Sequence, residues 1–447
     1  MPLWQSKKRP EYLFGDRLTP PPDRNRTYVR DTPLTNRQKD GFTQENFRRL
    51  RVAITNTVVL PPGYDYSAEQ VRTEASHKRP KGAQPSRRGG VTIEVDNSCD
   101  HVIRDDHGNV IAIYFPRYVR GESLTNLNHR SLAYGQHACR PFMTAEGNAI
   151  RALEQHTTKA RLRRIQQTII AHIKSRLRAL GKKGPPGEKF RLISKLERVK
   201  NPSPKANWAN RWIKGCDGDR YRPIGVFGMV HTAFLWHAIG HQYADAALPS
   251  TDAVLSKTVE GLCIQYQFMD GMEALDFRIN NLVEIAFPEL SQLMQKLRPE
   301  AEQNPLMYSL SRVWHSDFHG RAVLFNKKSA EHIDTSGVHR GWDILVAGGD
   351  FEGGGLFFKD LNMRIPFGPG DIIAFDGTAQ RHAIEPFTGP QRISHVYFIH
   401  DSVFREHGIV PSLPDIHINQ LAQRIPQLAS KWCPITMTEL KGESPAT

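Results

Sequence analysis

The chain has 447 residues, more than one small hydrophobic core needs, so we expect one or two folded domains with tails. Its formal charge of +14 and its isoelectric point near 9.6 favour a polyanionic partner. The 5 cysteines stand far apart without a CxxC pair, which argues against a disulfide framework and against a structural zinc site. No apolar run approaches the roughly 18 residues of a membrane span, and the first residues lack the apolar stretch of a secretory signal. We therefore expect an intracellular protein with no membrane partner.

Residues 1–88 are rich in Pro, Arg, Asp and Thr and contain few apolar clusters. Such a composition does not offset the entropy of ordering the chain, which predicts a basic, mostly disordered N-terminal tail. Two basic clusters, Lys7–Pro10 and Lys78–Lys81, are either nuclear import signals or parts of a solvated tail. The first alternative gives a nuclear location.

A region of strands and a helix is expected over residues 89–224. Residues 102–114 have the pattern of two strands joined by a turn at 107–109. Between Lys159 and Leu180 the apolar residues recur at intervals of 3 or 4, which predicts an amphipathic helix that ends at Gly181.

The positive charge is concentrated in residues 151–214. They contain 18 lysines and arginines against 3 glutamates, a net charge of +15, so the rest of the chain is close to neutral. Phosphate contacts provide affinity for nucleic acids and flat rings stack on bases, so this segment is a candidate DNA-binding surface. The alternative is a solvated helix face followed by a charged loop. The candidate contacts are Arg161, Arg163, Arg164, Lys182, Lys183, Trp208 and Trp212.

Residues 225–404 are predicted to form a further domain. Its first part is predicted mostly helical, with segments near 229–247 and 289–298. Residues 321–400 alternate short β-rich runs with Gly and Pro turns, which is typical of a sandwich or jelly roll, and we place this core at about 305–404. Residues 405–447 are expected to be a C-terminal extension without an assigned function.

Two His-x-Asp sequences occur in the chain, at His332/Asp334 and at His315/Asp317. Alternate residues of an extended segment point to the same side, so either pair could bind one metal ion. Two histidines and one carboxylate leave open positions on Fe(II) for a 2-oxo acid and O2. His382, just beyond a predicted strand, supplies the second histidine for the first pair, whereas we interpret the second pair as structural.

Three further residues fit the 2-oxo acid. A distant carboxylate of such a co-substrate needs a fixed bidentate cation, which arginine offers better than lysine. Arg392 begins the last β-rich run, and Ser394 points the same way. Asn326 either faces the co-substrate or simply ends a strand.

The order of these residues resembles the TET/J-binding-protein family of nucleic-acid oxygenases, especially its compact fungal and protist members. The resemblance covers about residues 305–404 and includes motifs at 324–326, 348–356 and 369–371. It implies an α+β fold with a double-stranded β-helix (jelly-roll) core flanked by helices, with Fe(II), 2-oxoglutarate and O2. It also implies a flipped methylated base of double-stranded DNA as substrate and a base contact from His400. The Cys-rich zinc segment of the animal members is missing, because these scattered cysteines cannot build it.

The expected activity is therefore oxidation of 5-methylcytosine to its hydroxymethyl, formyl and carboxyl forms. Demethylation of N6-methyladenine and hydroxylation of thymine would use the same site and stay open. A protein hydroxylase would leave the basic segment without a role, and an inactive DNA-binding module would leave the metal ligands and Arg392 without one. No pattern in the sequence sets the oligomeric state, for which a monomer is expected.

Overall fold

A computed structural model describes residues 31–62, 64–66, 92–139, 228–237, 259–303, 308–327 and 329–426, together with isolated positions between 170 and 253. The helices are α1 Asn36–Thr55, α2 Gly121–Ala138, α3 Val259–Asp270, α4 Glu273–Ala286, α5 Pro288–Gln295, α6 Arg298–Gln303, α7 Tyr308–Ser311, α8 Asp401–Glu406 and α9 Ile418–Gln423. The strands are β1 Val58–Val59, β2 Ile93–Glu94, β3 His101–Arg104, β4 Val110–Phe115, β5 Gly228–Ala233, β6 Gly320–Phe325, β7 Asp343–Gly353, β8 Leu356–Phe358, β9 Met363–Ile365, β10 Ile372–Phe375, β11 His382–Ile384 and β12 Phe387–Phe398. Within this part of the chain, no helix is long and apolar enough to cross a membrane.

The strands form two sheets that face each other. The large sheet has the order β1-β3-β4-β10-β7-β12-β6-β5, and the small sheet has the order β11-β8-β9-β2. Neighbouring strands are antiparallel except in the pairs β1–β3 and β2–β9. This arrangement, with helices on one side, confirms the predicted α+β fold with a double-stranded β-helix core.

The sequence of β10, in the middle of the large sheet, is apolar at every position because both faces of the strand are buried. Ile373 and Phe375 point into the core between the two sheets, whereas Ile372 and Ala374 point into the core beneath the helices. Successive side chains of a strand face opposite sides, so a strand covered on both faces has no polar position.

The helices cover the outer face of the large sheet. In α4 the buried residues Leu275, Ile279, Leu282 and Val283 follow the spacing of one helix face. They share a core with Val346 of β7. Burial of each such side chain contributes about 1.5–3 kcal/mol to the stability of the fold. The helical layer therefore stabilises the outer face of the large sheet.

Residues 31–62 are an ordered part of the segment that is predicted to be a mostly disordered N-terminal tail. Helix α1 begins at a capping box between Thr35 and Gln38 and buries Leu50 and Ile54. Arg49, within the same helix, donates hydrogen bonds to the buried carboxylate of Asp100. A few well-placed apolar residues and one long-range ion pair outweigh an unfavourable average composition. The remainder of 1–88 lies mostly outside the described residues.

Strand pairing crosses the domain boundary that is predicted at residue 224. β4, from the first side of that boundary, pairs with β10 in the middle of the large sheet, with Ile113 opposite Ala374. The C-terminal residues also join the core, since Ile418 and Leu421 of α9 are fully buried. The described parts of 89–224, 225–404 and 405–426 therefore share one fold.

The prediction of a helix near 229–247 is wrong over its first residues, which form β5. Val230 and Thr232 are buried, whereas Met229 next to Val230 is exposed, which is the period of a strand. Pairing with β6, where Val230 lies opposite Val323, decides the conformation. The helix predicted near 289–298 is confirmed as α5 Pro288–Gln295.

The predicted basic helix is described only in part. Positions 170, 171, 174, 175 and 177–180 are helical. Leu177 and Leu180 of its apolar stripe pack with Leu192 and Leu196. The candidate DNA contacts Arg161, Arg163, Arg164, Lys182, Lys183, Trp208 and Trp212 lie outside the described residues.

Candidate metal centre

Three residues predicted as metal ligands come together at one end of the small sheet. One ligand atom from each of His332, Asp334 and His382 lies within 4.8 Å of the others. The Nε2 atom of His332 is 3.5 Å from one carboxylate oxygen of Asp334, and the Nε2 atom of His382 is 3.7 Å from the other. Two imidazoles and one carboxylate within this distance can share one divalent ion.

Backbone hydrogen bonds fix the relative position of the three ligands. The N–H of His332 donates to the carbonyl of His382 at 3.0 Å, and the reverse bond measures 2.9 Å. The N–H of Asp334 donates to the carbonyl of Gly377 at 2.9 Å. The segment that carries His332 and Asp334, here called the ligand loop, is thus hydrogen-bonded to the start of β11 and to Gly377. Residues 332 and 334 present their side chains on the same side.

The tautomers of both histidines suit metal binding. Nδ1 of His332 lies 2.8 Å from the carbonyl oxygen of Ala330, and Nδ1 of His382 lies 2.9 Å from that of Gln380. A carbonyl only accepts hydrogen bonds, so Nδ1 carries the proton in each ring and Nε2 keeps its lone pair. Burial lowers the pKa of His382, which keeps this ring neutral and available as a ligand at neutral pH.

The ligand Asp334 lies close to a second carboxylate. A Cβ atom at Gly377 would lie 2.4 Å from Oδ2 of Asp343 and 2.7 Å from Oδ2 of Asp334, so only a hydrogen fits at this position. Burial, followed by the charges of Asp334 and Asp376, raises the pKa of Asp343 well above its usual range. A divalent cation at the centre would offset this concentration of negative charge.

Arg392 has the environment expected for a site that binds an acid. Its side chain is 2% exposed and points into the core between the sheets, with its guanidinium carbon 5.2 Å from the ring centres of Phe351 and Phe387. Nη1 donates to Oγ of Ser394 at 2.6 Å, whereas Nε and Nη2 have no hydrogen-bond partner among the described residues. Burial lowers the pKa of Arg392 to about 9. A buried cation with two unused N–H groups fits a carboxylate.

Comparison with known proteins identifies the domain that contains these residues. Residues 257–401 match the Tet_JBP family model, described as the oxygenase domain of the 2OGFeDO superfamily, and the match includes all three ligands and Arg392. This domain belongs to the TET/JBP oxygenase family. No curated protein matches the chain.

Two solved structures are also similar to the chain. NgTET1 in complex with 5mC DNA has a TM-score of 0.38 and 13% identity, covering 82% of this chain and 92% of that chain. An oxidoreductase of the 2OG-Fe(II) oxygenase family from Burkholderia pseudomallei has a TM-score of 0.17 and 16% identity, covering 24% of this chain and 56% of that chain. At these scores neither likeness bears on the site or on the substrate.

The residues of the TET/JBP domain fit the Fe(II) and 2-oxoglutarate of this superfamily. His332, Asp334 and His382 offer the donor set that Fe(II) oxygenases use. The two unpartnered N–H groups of Arg392 match the distal carboxylate of 2-oxoglutarate, and Ser394 fixes the orientation of the guanidinium.

Asn326 lies at the end of β6, beside the backbone of Arg392. Its Oδ1 accepts a hydrogen bond from the N–H of Arg392 at 2.6 Å, and its Nδ2 donates to the carbonyl of Pro390 at 3.2 Å. Its φ of 49° lies in the left-handed region that asparagine tolerates. Asn326 therefore ends β6 and holds the backbone that carries Arg392.

His400 lies beside the loop that supplies the metal ligands. It forms a β-bridge with Gly337 in this loop, and its ring packs 4.9 Å from Trp236 and 4.8 Å from Phe398. Burial lowers the pKa of His400 to about 4, so the ring is neutral at pH 7. No sequence pattern points to Trp236, because it falls in a segment predicted to be helical.

Two further histidines considered from the sequence, His315 and His237, make contacts within the fold. His315 lies 3.3 Å from the carboxylate of Asp270, and the N–H of Asp317 donates to Asn280. His237 binds Glu406 at 2.7 Å and thereby ties its segment to α8, while His241 lies outside the described residues.

Replacing Gly377 with alanine tests whether Asp334 needs its present position. The added methyl group must displace the carboxylate of Asp343 or of Asp334, so we expect the affinity for Fe(II) to fall by roughly tenfold or more. Isothermal titration calorimetry with Fe(II) under anaerobic conditions measures this change in affinity. Gly41→Ala in α1, which meets no atom within 4 Å, is the matched control. Equal affinities in the two variants would contradict the assignment.

Replacing Arg392 with leucine tests the acid-binding role. The variant should fold, because it removes a buried cation that has no acidic partner, but its affinity for 2-oxoglutarate should fall by roughly a hundredfold, the loss expected for two charge-assisted hydrogen bonds. Thermal unfolding with and without 2-oxoglutarate gives the readout, since a bound ligand raises the unfolding temperature. Arg364→Leu, at a half-buried arginine of β9 that pairs with Glu94 and Glu385, is the control and should keep the ligand-dependent shift. A normal shift in Arg392→Leu would exclude this role.

Proposed function

We propose that this protein is an Fe(II)/2-oxoglutarate-dependent dioxygenase that oxidises the methyl group of 5-methylcytosine in double-stranded DNA to the hydroxymethyl, formyl and carboxyl forms. The observation that carries the proposal is the TET/JBP oxygenase domain with three metal ligands and a buried, unpaired Arg392 in one fold. The net charge of +15 in residues 151–214 supports a nucleic-acid substrate, because such a surface neutralises phosphates.

In this proposal, His332, Asp334 and His382 would hold the metal ion, and Arg392 would hold the co-substrate. Fe(II), when bound with 2-oxoglutarate and O2, would supply the oxidation of a C–H bond, with one 2-oxoglutarate converted to succinate and CO2 in each round. His332 and His382 would bind Fe(II) through Nε2, because their Nδ1 atoms are hydrogen-bonded to backbone carbonyls. Asp334 contributes the negative charge, and Arg392 orients the 2-oxoglutarate through its distal carboxylate. The phenyl rings around Arg392 exclude water, which strengthens this ion pair.

The substrate base must leave the duplex to reach this centre. We assign a base contact to His400, because it lies beside the ligand loop and is neutral at pH 7. A neutral imidazole can donate one hydrogen bond and accept another, which suits the polar edge of a base. Trp236, packed against His400, offers a flat surface next to it.

The basic clusters Lys7–Pro10 and Lys78–Lys81 support a nuclear location for such an enzyme. Import of a reporter fused to either cluster would test this assignment.

Nucleoside mass spectrometry tests the activity directly. The full chain is loaded anaerobically with Fe(II) and 2-oxoglutarate, mixed with duplexes that contain 5-methylcytosine, N6-methyladenine or unmodified thymine, and then exposed to O2. We expect oxidised cytosine with the first duplex and none with Asp334→Ala, which removes a metal ligand. Adenine from the second duplex would identify N6-methyladenine as the substrate, and hydroxymethyluracil from the third would identify thymine. Succinate release that occurs only with a protein substrate would contradict a DNA oxygenase.

The salt dependence of duplex binding tests the basic segment. Lys182→Glu combined with Lys183→Glu should weaken binding and reduce the slope of log K against log salt by roughly 0.9 for each phosphate that the protein no longer neutralises. Arg37→Glu combined with Arg51→Glu changes the net charge equally on the exposed side of α1 and is the control. An identical loss in both double variants would mean that net charge alone, and not this segment, attracts DNA.

A further inference from the structure

A second group of side chains that could hold a metal ion lies apart from His332, Asp334 and His382. Ligand atoms of Asp96, Cys99 and His101 all lie within 4.8 Å of one another. His101 is the first residue of β3, and the other two residues belong to the loop between β2 and β3. In the large sheet, β4 separates β3 from β10.

The distance between two of these atoms matches tetrahedral zinc. Sγ of Cys99 lies 3.6 Å from Nε2 of His101. Zinc bonds of about 2.3 Å to sulfur and about 2.05 Å to nitrogen at a tetrahedral angle place these two ligand atoms about 3.6 Å apart. The loop therefore already holds the thiol and the imidazole at the separation that one ion requires.

The orientation of His101 also fits a ligand. Its side chain is 7% exposed, and Nδ1 lies 2.8 Å from the carbonyl oxygen of Asn56. This carbonyl fixes the proton on Nδ1, so the lone pair of Nε2 faces Cys99 and Asp96. A backbone carbonyl behind a histidine is the usual second contact of a metal-bound imidazole.

Hydrogen bonds alone give a simpler account of the same loop. The carboxylate of Asp96 accepts bonds from the N–H and the hydroxyl of Ser98, and the thiol of Cys99 can donate to Nε2 of His101. These bonds leave lone pairs on both oxygens of Asp96. They explain the turn, but they do not require a carboxylate, a sulfur and an imidazole nitrogen to converge.

We propose that Asp96, Cys99 and His101 bind one Zn²⁺ ion, with water as the fourth ligand. A thiolate and an imidazole select zinc over magnesium or calcium. On binding, the S–H bond of Cys99 breaks, a sulfur–zinc bond forms, and the proton is released to solvent. Asp96 is exposed, so the site opens to solvent. Because His101 is bonded to Asn56 at the end of α1, the ion would tie α1 to the edge of the large sheet.

The sequence expectation of no zinc site depended on the absence of a CxxC pair. A mixed set of Asp, Cys and His within six residues falls outside that pattern, and only the bend of the loop brings the three side chains together.

Cobalt titration of the full chain, first freed of metal, tests the proposal. Co²⁺ bound to a thiolate gives a sulfur-to-cobalt charge-transfer band in the near ultraviolet, whereas Co²⁺ at His332, Asp334 and His382 gives none because that site has no sulfur. We expect a band that saturates at one equivalent for the sulfur site, persists in His382→Ala, and disappears when Zn²⁺ is added. Absence of the band in the wild-type chain would overturn the proposal.

Variants of the loop assign the band to this site. Cys99→Ser should abolish it, and Asp96→Asn, a change at the surface that leaves the fold intact, should weaken Co²⁺ binding by tenfold or more. Cys139→Ser, at a half-buried cysteine in the cap of α2, is the matched control and should keep it. A band that survives Cys99→Ser, or one that is lost in Cys139→Ser, would assign the sulfur to another cysteine and contradict the proposal.

Discussion

The buried charge of Arg392 is the constraint on which the candidate site depends. A guanidinium that is 2% exposed and surrounded by phenyl rings is costly unless an anion neutralises it, and its Nε and Nη2 have no partner among the described residues. Several contacts hold this cation in place. Asn326 fastens its backbone, Ser394 fixes Nη1, and Gly354 allows close approach, since a Cβ there would lie 3.2 Å from Nε. Such an arrangement is pre-organised for a carboxylate that arrives with the co-substrate.

The two sheets contribute different parts of the centre. Arg392 comes from β12 in the large sheet, whereas His382 comes from β11 in the small sheet. The ligand loop joins them, because His332 bridges to His382 and Gly337 bridges to His400 at the end of β12. Packing between the sheets therefore sets the distance between the metal and the acid-binding arginine. The helices that pack on the outer face of the large sheet keep this sheet in position.

Much of the core and of the site could be predicted from the sequence, because both depend on local patterns. Ile372–Phe375 has the uninterrupted apolar pattern of a strand buried on both faces, and it is β10. The three ligands and Arg392 were found from residue type and spacing, and the structure brings the ligands together.

The features that the sequence analysis missed depend on long-range contacts. Helix α1 is stabilised by the hydrogen bonds of Arg49 to Asp100. No sequence pattern indicates that these two distant residues form a pair. β5 lies in a segment that is predicted to be helical, and its strand conformation depends on pairing with β6, which is distant in the sequence. The hydrogen bond between Asn326 and the backbone of Arg392 depends on a left-handed backbone conformation that no residue pattern specifies.

Diffraction from crystals grown without oxygen, with Fe(II) and 2-oxoglutarate, measured on both sides of the iron absorption edge, tests the central claim most directly. The account predicts one anomalous peak bonded to His332, Asp334 and His382, with the distal carboxylate of 2-oxoglutarate on Nε and Nη2 of Arg392. An iron peak at any other residues, or a diacid bound away from Arg392, would contradict it.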